Sequence, residues 1–115
     1  MRRVALIPRS KEDVKRVILY EADDGVYLFL SRSIHDAGSF ADQWYVSVED
    51  AEAVCRERFG IDKPMWQEVP DAEPGCQHDW IAPVRIKGRE HGQPQWGVLE
   101  RLVGGRWVQI TEPPE

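Results

Sequence analysis

The side chains best suited to chemistry lie close together in one segment of the sequence. Within Gly-Cys-Gln-His-Asp-Trp stand Cys76, His78 and Asp79, and thiolate, imidazole and carboxylate groups are all metal ligands. A structural zinc site normally takes four ligands from two closely spaced pairs, whereas this chain offers a single Cys-x-His pair. The competing interpretation is a turn into a strand at Trp80, capped by His78 and Asp79.

The same three residues also suggest a cysteine nucleophile. Cys76 is then the nucleophile, an imidazole acts as its base, and a carboxylate orients that base. The chain contains no nucleophile elbow, phosphate-binding loop or paired metal motif. We therefore predict a non-catalytic protein without a cofactor, and a zinc site or a cysteine-dependent small enzyme at Cys76, His78 and Asp79 is the alternative.

Charge is distributed unevenly along the chain. Residues 17–80 hold fourteen Asp or Glu against four Lys or Arg, whereas residues 1–16 hold six basic and two acidic side chains. The whole chain has a net charge of −5. An acidic surface speeds association with cationic partners and loses this effect as salt is added. We therefore predict a small binding or regulatory module that contacts a basic protein through an acidic face.

The residues of this predicted acidic face come from three parts of the chain. Two lie in a turn, three in the first turns of a helix and two in a long loop. They are Asp23 and Asp24, then Glu49, Asp50 and Glu52, and finally Asp71 and Glu73. The competing interpretation is the ordinary charged exterior of a soluble protein.

A second alternative function is binding of single-stranded nucleic acid. Arg85, Lys87 and Arg89 precede the indoles of Trp96 and Trp107, and single strands are bound by basic residues with stacking aromatic rings. A pI near 5.2 argues against this function, because nucleic-acid-binding domains are commonly basic. An aromatic patch at Trp96 and Trp107 instead suggests self-association, as in a homodimer.

A length of 115 residues fits one domain with one core. We predict a flexible basic arm over residues 1–13, the domain over residues 14–111 and a disordered tail over residues 112–115. The few apolar residues before Pro8 are too short a run for a signal-peptide core, and no apolar run is long enough to span a membrane. The sequence thus predicts a cytoplasmic protein, in which Cys55 and Cys76 stay reduced.

The first elements that the sequence predicts are a hairpin and a helix. Two apolar runs, 14–20 and 26–30, flank an Asp-Gly turn, which is a strong hairpin signal. Ser47 is placed to cap a helix over residues 48–59, and Gly60 is placed to end it. Apolar residues recur at helical spacing along this segment, so Cys55 is predicted to be a small buried hydrophobe.

The remaining strands are predicted after the helix. They cover residues 65–69 and 82–86, followed by a hairpin over residues 99–110 with a two-residue Gly104-Gly105 turn that pairs Val103 with Arg106. The element order β-β-α-β-β-β-β predicts an α+β fold with one main helix packed on a mostly antiparallel sheet. Most of the five tryptophans are predicted to be core anchors or packing partners of a sheet.

Overall fold

A computed structural model of the chain describes residues 1–7 and 13–110. They form a small single-domain α+β fold, in which one α-helix accompanies two antiparallel sheets. The first sheet contains β1 (Arg2–Leu6), β2 (Arg16–Ala22), β3 (Gly25–Ser31), β4 (Ala41–Tyr45) and β5 (Gln67–Val69). The second contains β6 (Val84–Ile86), β7 (Leu99–Val103) and β8 (Arg106–Gln109). Helix α1 (Val48–Phe59) joins β4 to β5, and short 3-10 helices span Lys63–Met65 and Arg89–His91. The predicted fold class is confirmed.

The five-stranded sheet has the order β4-β3-β2-β1-β5 and carries α1 on one face. Side chains alternate between the two faces of a strand, so Val17 and Leu19 point to the helix and Ile18 points away from it. All three are fully buried, because residues 70–83, which we call the connecting segment, cover part of the opposite face. We call that opposite face the open face.

Helix α1 has the predicted bounds, and its ends are capped as the sequence indicates. The Ser47 hydroxyl accepts a hydrogen bond from the Asp50 backbone N–H at 3.1 Å, and Gly60 ends the helix in the left-handed conformation, with φ of 69°. Cys55 is buried on the stripe that meets the sheet, and burial raises the pKa of its thiol to about 12. The thiol is therefore an inert packing group, as predicted.

Both predicted hairpins are confirmed. Ala22 pairs with Gly25 around the Asp23–Asp24 turn, and Val103 pairs with Arg106 around Gly104 and Gly105. Gly104 and Gly105 have φ of 55° and 80°. Both values lie in the left-handed region, which a two-residue hairpin turn with two positive φ angles requires.

The prediction of a flexible arm over residues 1–13 is wrong for residues 2–6. These residues form β1, which lies between β2 and β5 and hydrogen-bonds to both. The arm was inferred from its positive charge, but Arg2 is buried and Arg3 forms an ion pair, so the charge is accommodated inside the fold. Residues 8–12 of the predicted arm and residues 112–115 of the predicted tail lie outside the described residues.

Further differences concern the number and ends of the strands. Strand β4 was not predicted, because Ala41–Tyr45 has neither an apolar run nor a regular alternation of polar and apolar residues. The predicted strand over residues 65–69 begins only at Gln67, because Met65 ends the 3-10 helix that contains Pro64. The one over residues 82–86 begins at Val84, after Pro83. The strands also divide between two sheets, where the sequence predicted one.

A second, smaller core joins the three-stranded sheet to the rest of the molecule. It consists of Ala37, Trp80 and Val84, with Leu99 and Ile110 packed against them. Trp80 is 2% exposed, whereas Trp44 and Trp96 are 50% and 75% exposed. Trp66 is partly buried against the core beneath α1, and Trp107 is partly buried on β8. Trp96 is therefore the tryptophan that departs most from the prediction of core anchors or packing partners of a sheet. No helix among the described residues is long and apolar enough to cross a membrane.

Candidate functional site

The first candidate site is a concentration of carboxylates at one end of the five-stranded sheet. Two open depressions lie there and share Glu21 and Asp23, at the end of β2 and in the turn that follows. One, of about 290 Å³, extends to Glu49 at the start of α1. The other, of about 280 Å³, extends to Asp71 in the connecting segment.

We call this region the acidic end and define it by Glu21, Asp23, Asp24, Glu49 and Asp71. Among the described residues, no Lys or Arg side chain lines either depression. The positive group present is the ammonium of Met1, which lies 2.9 Å from Asp71. The hydrogen bond and the charge of this ammonium lower the pKa of the Asp71 carboxyl. The acidic end therefore carries a net negative potential at neutral pH.

The structure brings together part of the predicted acidic face. Asp23, Glu49 and Asp71 line the two depressions of the acidic end. Asp24 follows Asp23 in the turn and bonds to Tyr27, and Asp50 is exposed in the first turn of α1 next to Glu49. Two predicted members belong elsewhere.

Glu52 and Glu73 are the predicted members that lie apart from the acidic end. Glu52 forms an ion pair with Arg3 at 3.0 Å, and Glu73 lines a separate cavity beside Arg2 and Cys76. Sequence reasoning missed Glu21. Its position two residues before Asp23 was the signal that could have found it, because a residue there lies at the same end of the hairpin as the turn carboxylates.

A second candidate feature borders the acidic end on the open face of the sheet. The rings of Phe29, Tyr27, Tyr20 and His78 follow one another in near-parallel orientation. Tyr20 and Tyr27 are cross-strand partners with ring centroids 6.2 Å apart, and His78 stacks on Tyr20 at 4.2 Å. Trp44 lies directly opposite Tyr27 on β4. We call these five residues the aromatic face.

The exposed part of the aromatic face is held in place by specific contacts. The indole of Trp44 lies directly against Gly25, so closely that a Cβ atom at position 25 would overlap the ring. The Tyr27 hydroxyl donates a hydrogen bond to Asp24 at 2.9 Å. This bond, followed by desolvation and the negative charges of Asp24 and Asp42, raises the pKa of Tyr27. Aromatic rings and carboxylates thus lie side by side.

The chain has no match among the proteins to which it was compared. No protein-family model, curated protein or solved structure matches it. The chemistry of the surface is therefore the guide to function, and aromatic faces beside carboxylates are suited to holding cations, because the ring quadrupole and the negative charges act in the same direction.

The Cys76, His78 and Asp79 side chains are not assembled into one site. Cys76 is buried, and burial raises the pKa of its thiol. His78 stacks on Tyr20, while Asp79 accepts hydrogen bonds from the Ser39 backbone N–H and hydroxyl at 2.8 and 2.9 Å. Within the part of the chain that the structure describes, no group of three or more His, Cys, Asp or Glu is placed to hold a metal ion. The competing interpretation, a turn into a strand at Trp80 capped by His78 and Asp79, does not match these contacts either, because Asp79 bonds to Ser39 and the strand begins only at Val84.

The predicted basic and aromatic patch is also divided. Arg85 lies over the Trp107 ring at 3.9 Å and forms ion pairs with Glu90 and Glu100 at 3.3 and 3.1 Å. Lys87 donates to the Gln109 side chain at 3.0 Å. The charge of Arg85 is therefore neutralised by two carboxylates, and its guanidinium covers one face of the Trp107 ring. Arg89 and Trp96 are the exposed members of the patch.

The surroundings of His78 make a prediction about pH. Desolvation, followed by the positive charge of Arg2, lowers the pKa of His78, while Asp79 and Asp71 oppose this shift. Protonation is then less favourable in the folded than in the unfolded chain, whose histidine has a pKa of about 6.5. The contribution to stability is present above that pH and is lost as the pH falls through the folded-state pKa.

We therefore expect the melting temperature to fall more between about pH 7.5 and about pH 5.5 in the native chain than in a His78→Phe variant. Phenylalanine keeps a ring against Tyr20 and cannot titrate. Thermal unfolding followed by circular dichroism measures both proteins, and an equal fall in the two would contradict the assignment of the effect to His78.

Proposed function

We propose that this protein is a small non-catalytic module that binds a basic protein through its acidic end. The observation that carries the proposal is the convergence of carboxylates from three separate chain segments on one surface: the end of the first hairpin, the start of α1 and the connecting segment. Solubility requires charged residues on the surface but does not require carboxylates to cluster. Among the described residues, these carboxylates cluster at two depressions that no Lys or Arg side chain lines.

Electrostatics favours a cationic protein as the partner. Carboxylates repel the phosphates of nucleic acids, whereas they steer a basic protein toward its docking orientation and raise the association rate. Partly exposed rings beside the acidic end add a surface that takes part in close contact after the encounter. Association is then fast, sensitive to salt and confined to one end of the sheet.

A charge-reversal variant tests the proposal. Asp23→Lys with Glu49→Lys places two cations at the acidic end, and we expect retention of basic partners by the tagged protein to fall about tenfold or more. The measurement is capture from lysate of the source organism at low and at high salt, with quantitative mass spectrometry of the eluate. The partner identified in this way is then purified and its affinity for both proteins is measured directly.

The matched control is Glu57→Lys with Glu68→Lys, which changes the net charge by the same amount. Both of its residues are exposed and neither lines a depression. We expect the purified partner to bind the control with an affinity close to that of the native protein. Equal weakening in the two variants would mean that overall charge, and not the acidic end, governs binding, and the proposal would be abandoned.

A further inference from the structure

We infer that the aromatic face selects arginine over lysine in the basic partner, with Trp44 and Tyr27 stacking against a guanidinium that Asp24 or Asp42 pairs. This inference rests on the proposed function and specifies the chemistry of the partner, an arginine-bearing segment. It assigns the open face a role in selectivity, in addition to the attraction exerted by the acidic end, with which it shares Asp24. The acidic end attracts any cation, whereas the aromatic face distinguishes between two kinds of cation.

The first supporting observation is the exposure of a fixed indole. Trp44 is 50% exposed on β4, an edge strand of the five-stranded sheet, and its ring is seated against Gly25. Gly25 adopts φ of 143°, and only a residue without Cβ leaves room for the ring. An exposed side chain that is already held in place loses little conformational entropy when a ligand stacks on it.

The second observation is the placement of charge around that indole. Asp42 lies opposite Phe29 on β4, two residues from Trp44, and Asp24 accepts the Tyr27 hydroxyl proton in a hydrogen bond. Both carboxylates are close enough to Tyr27 to raise its pKa. On the open face, Arg2 is the cross-strand partner of Tyr20. Its guanidinium is buried against backbone carbonyls, so it does not compete.

The geometry of these groups favours arginine. A guanidinium is planar, stacks on an aromatic face and donates two parallel hydrogen bonds to a carboxylate, whereas an ammonium is a compact, strongly hydrated point charge. Partly exposed rings beside carboxylates provide both kinds of contact for arginine and one for lysine. We therefore expect an arginine-rich segment to bind about five- to tenfold more tightly than a lysine-rich segment of equal length and charge.

Isothermal titration calorimetry with two defined peptides tests the inference. One peptide alternates arginine with glycine and serine, and the other carries lysine at the same positions. We expect the native protein to prefer the arginine peptide. In Trp44→Leu we expect the affinity for the arginine peptide to fall to that for the lysine peptide. The affinity for the lysine peptide is expected to stay nearly unchanged. Trp44→Phe keeps an aromatic face and retains part of the preference.

The control for loss of an exposed tryptophan is Trp96→Leu, on the connection between β6 and β7 of the second sheet. It should leave both affinities unchanged, and circular dichroism verifies that each variant is folded. Equal affinities of the native protein for the two peptides, or a Trp44→Leu effect matched by Trp96→Leu, would overturn the inference and leave the acidic end as the binding surface. Failure of the proposed function gives a different result. It is shown if the variant Asp23→Lys with Glu49→Lys binds both peptides as tightly as the native protein does.

Discussion

Replacing Arg2 by alanine is expected to lower the free energy of unfolding by about 3–5 kcal/mol, a large part of the stability of a domain of this size. Arg2 is 1% exposed and donates to the backbone carbonyls of Pro70, His78, Trp80 and Ile81 at 2.8, 3.0, 2.5 and 3.4 Å. Desolvation lowers the pKa of its guanidinium, which reflects how far this charge is removed from water. Truncation leaves several carbonyls of the connecting segment without their donor, and each buried unsatisfied group costs about 1–3 kcal/mol.

Arg3 provides the matched control for this prediction. It occupies the next position of β1 and points to the opposite face, where it forms one ion pair with Glu52 on α1. That pair is partly exposed, so Arg3→Ala is expected to cost about 0.5–1 kcal/mol. Chemical denaturation of the three proteins measures both changes. Losses of similar size in the two variants would show that the carbonyl contacts of Arg2 contribute little.

A lysine at position 2 separates the charge of Arg2 from its shape. The four carbonyls belong to residues spread over twelve positions of the connecting segment, and a guanidinium reaches them with three separate nitrogen atoms. A single ammonium has no such fork, so Arg2→Lys is expected to recover only a minor part of the loss. Recovery to native stability would mean that the charge alone is sufficient.

Local features of the fold were predictable because local physics determines them. The bounds of α1 follow from a Ser47 cap, a Gly60 stop and helical spacing between them, all of which are visible within fourteen residues. The last hairpin follows from two glycines that favour left-handed dihedrals, and its register follows from the length of the turn. These signals need no information from the rest of the chain.

Features that depend on distant contacts were not predictable in the same way. From the sequence, Arg2 was assigned to an exposed basic arm, because arginine is usually exposed. Its burial depends on carbonyl acceptors about seventy residues away in the chain. Arg16 is buried in the same manner, with donated bonds to the carbonyls of His35, Ala37 and Asp79. Neither set of partners leaves a pattern in the sequence.

The candidate site shows the same division. The charge of residues 17–80 predicted an acidic surface, and most of its members lie at the acidic end, because turns and helix starts are exposed wherever the chain places them. Glu52 was misassigned because its partner Arg3 lies forty-nine residues away. The aromatic face was missed altogether, since its rings come from three strands and a loop and meet only through the register of the sheet.

Replacing Trp80 by alanine is expected to cost about 3–5 kcal/mol and to loosen the three-stranded sheet more than the five-stranded one. Trp80 is the largest member of the second core, and Val84 of β6, Leu99 of β7 and Ile110 pack in that cluster. Arg101 of β7 also lies over its ring at 5.4 Å. Because this core is small, few other contacts replace those that the indole makes.

Native-state hydrogen exchange distinguishes local from global loss of stability after this substitution. In Trp80→Ala, amides of β6 and β7 are expected to exchange much faster while the centre of β2 and β3 stays protected, because the second sheet opens as a separate unit. Leu28→Ala is the control, since Leu28 is fully buried in the core beneath α1 and its loss of about 2–5 kcal/mol acts on the larger sheet. Uniform acceleration across both sheets in Trp80→Ala would instead show that the two cores unfold together, with the connecting segment transmitting the loss.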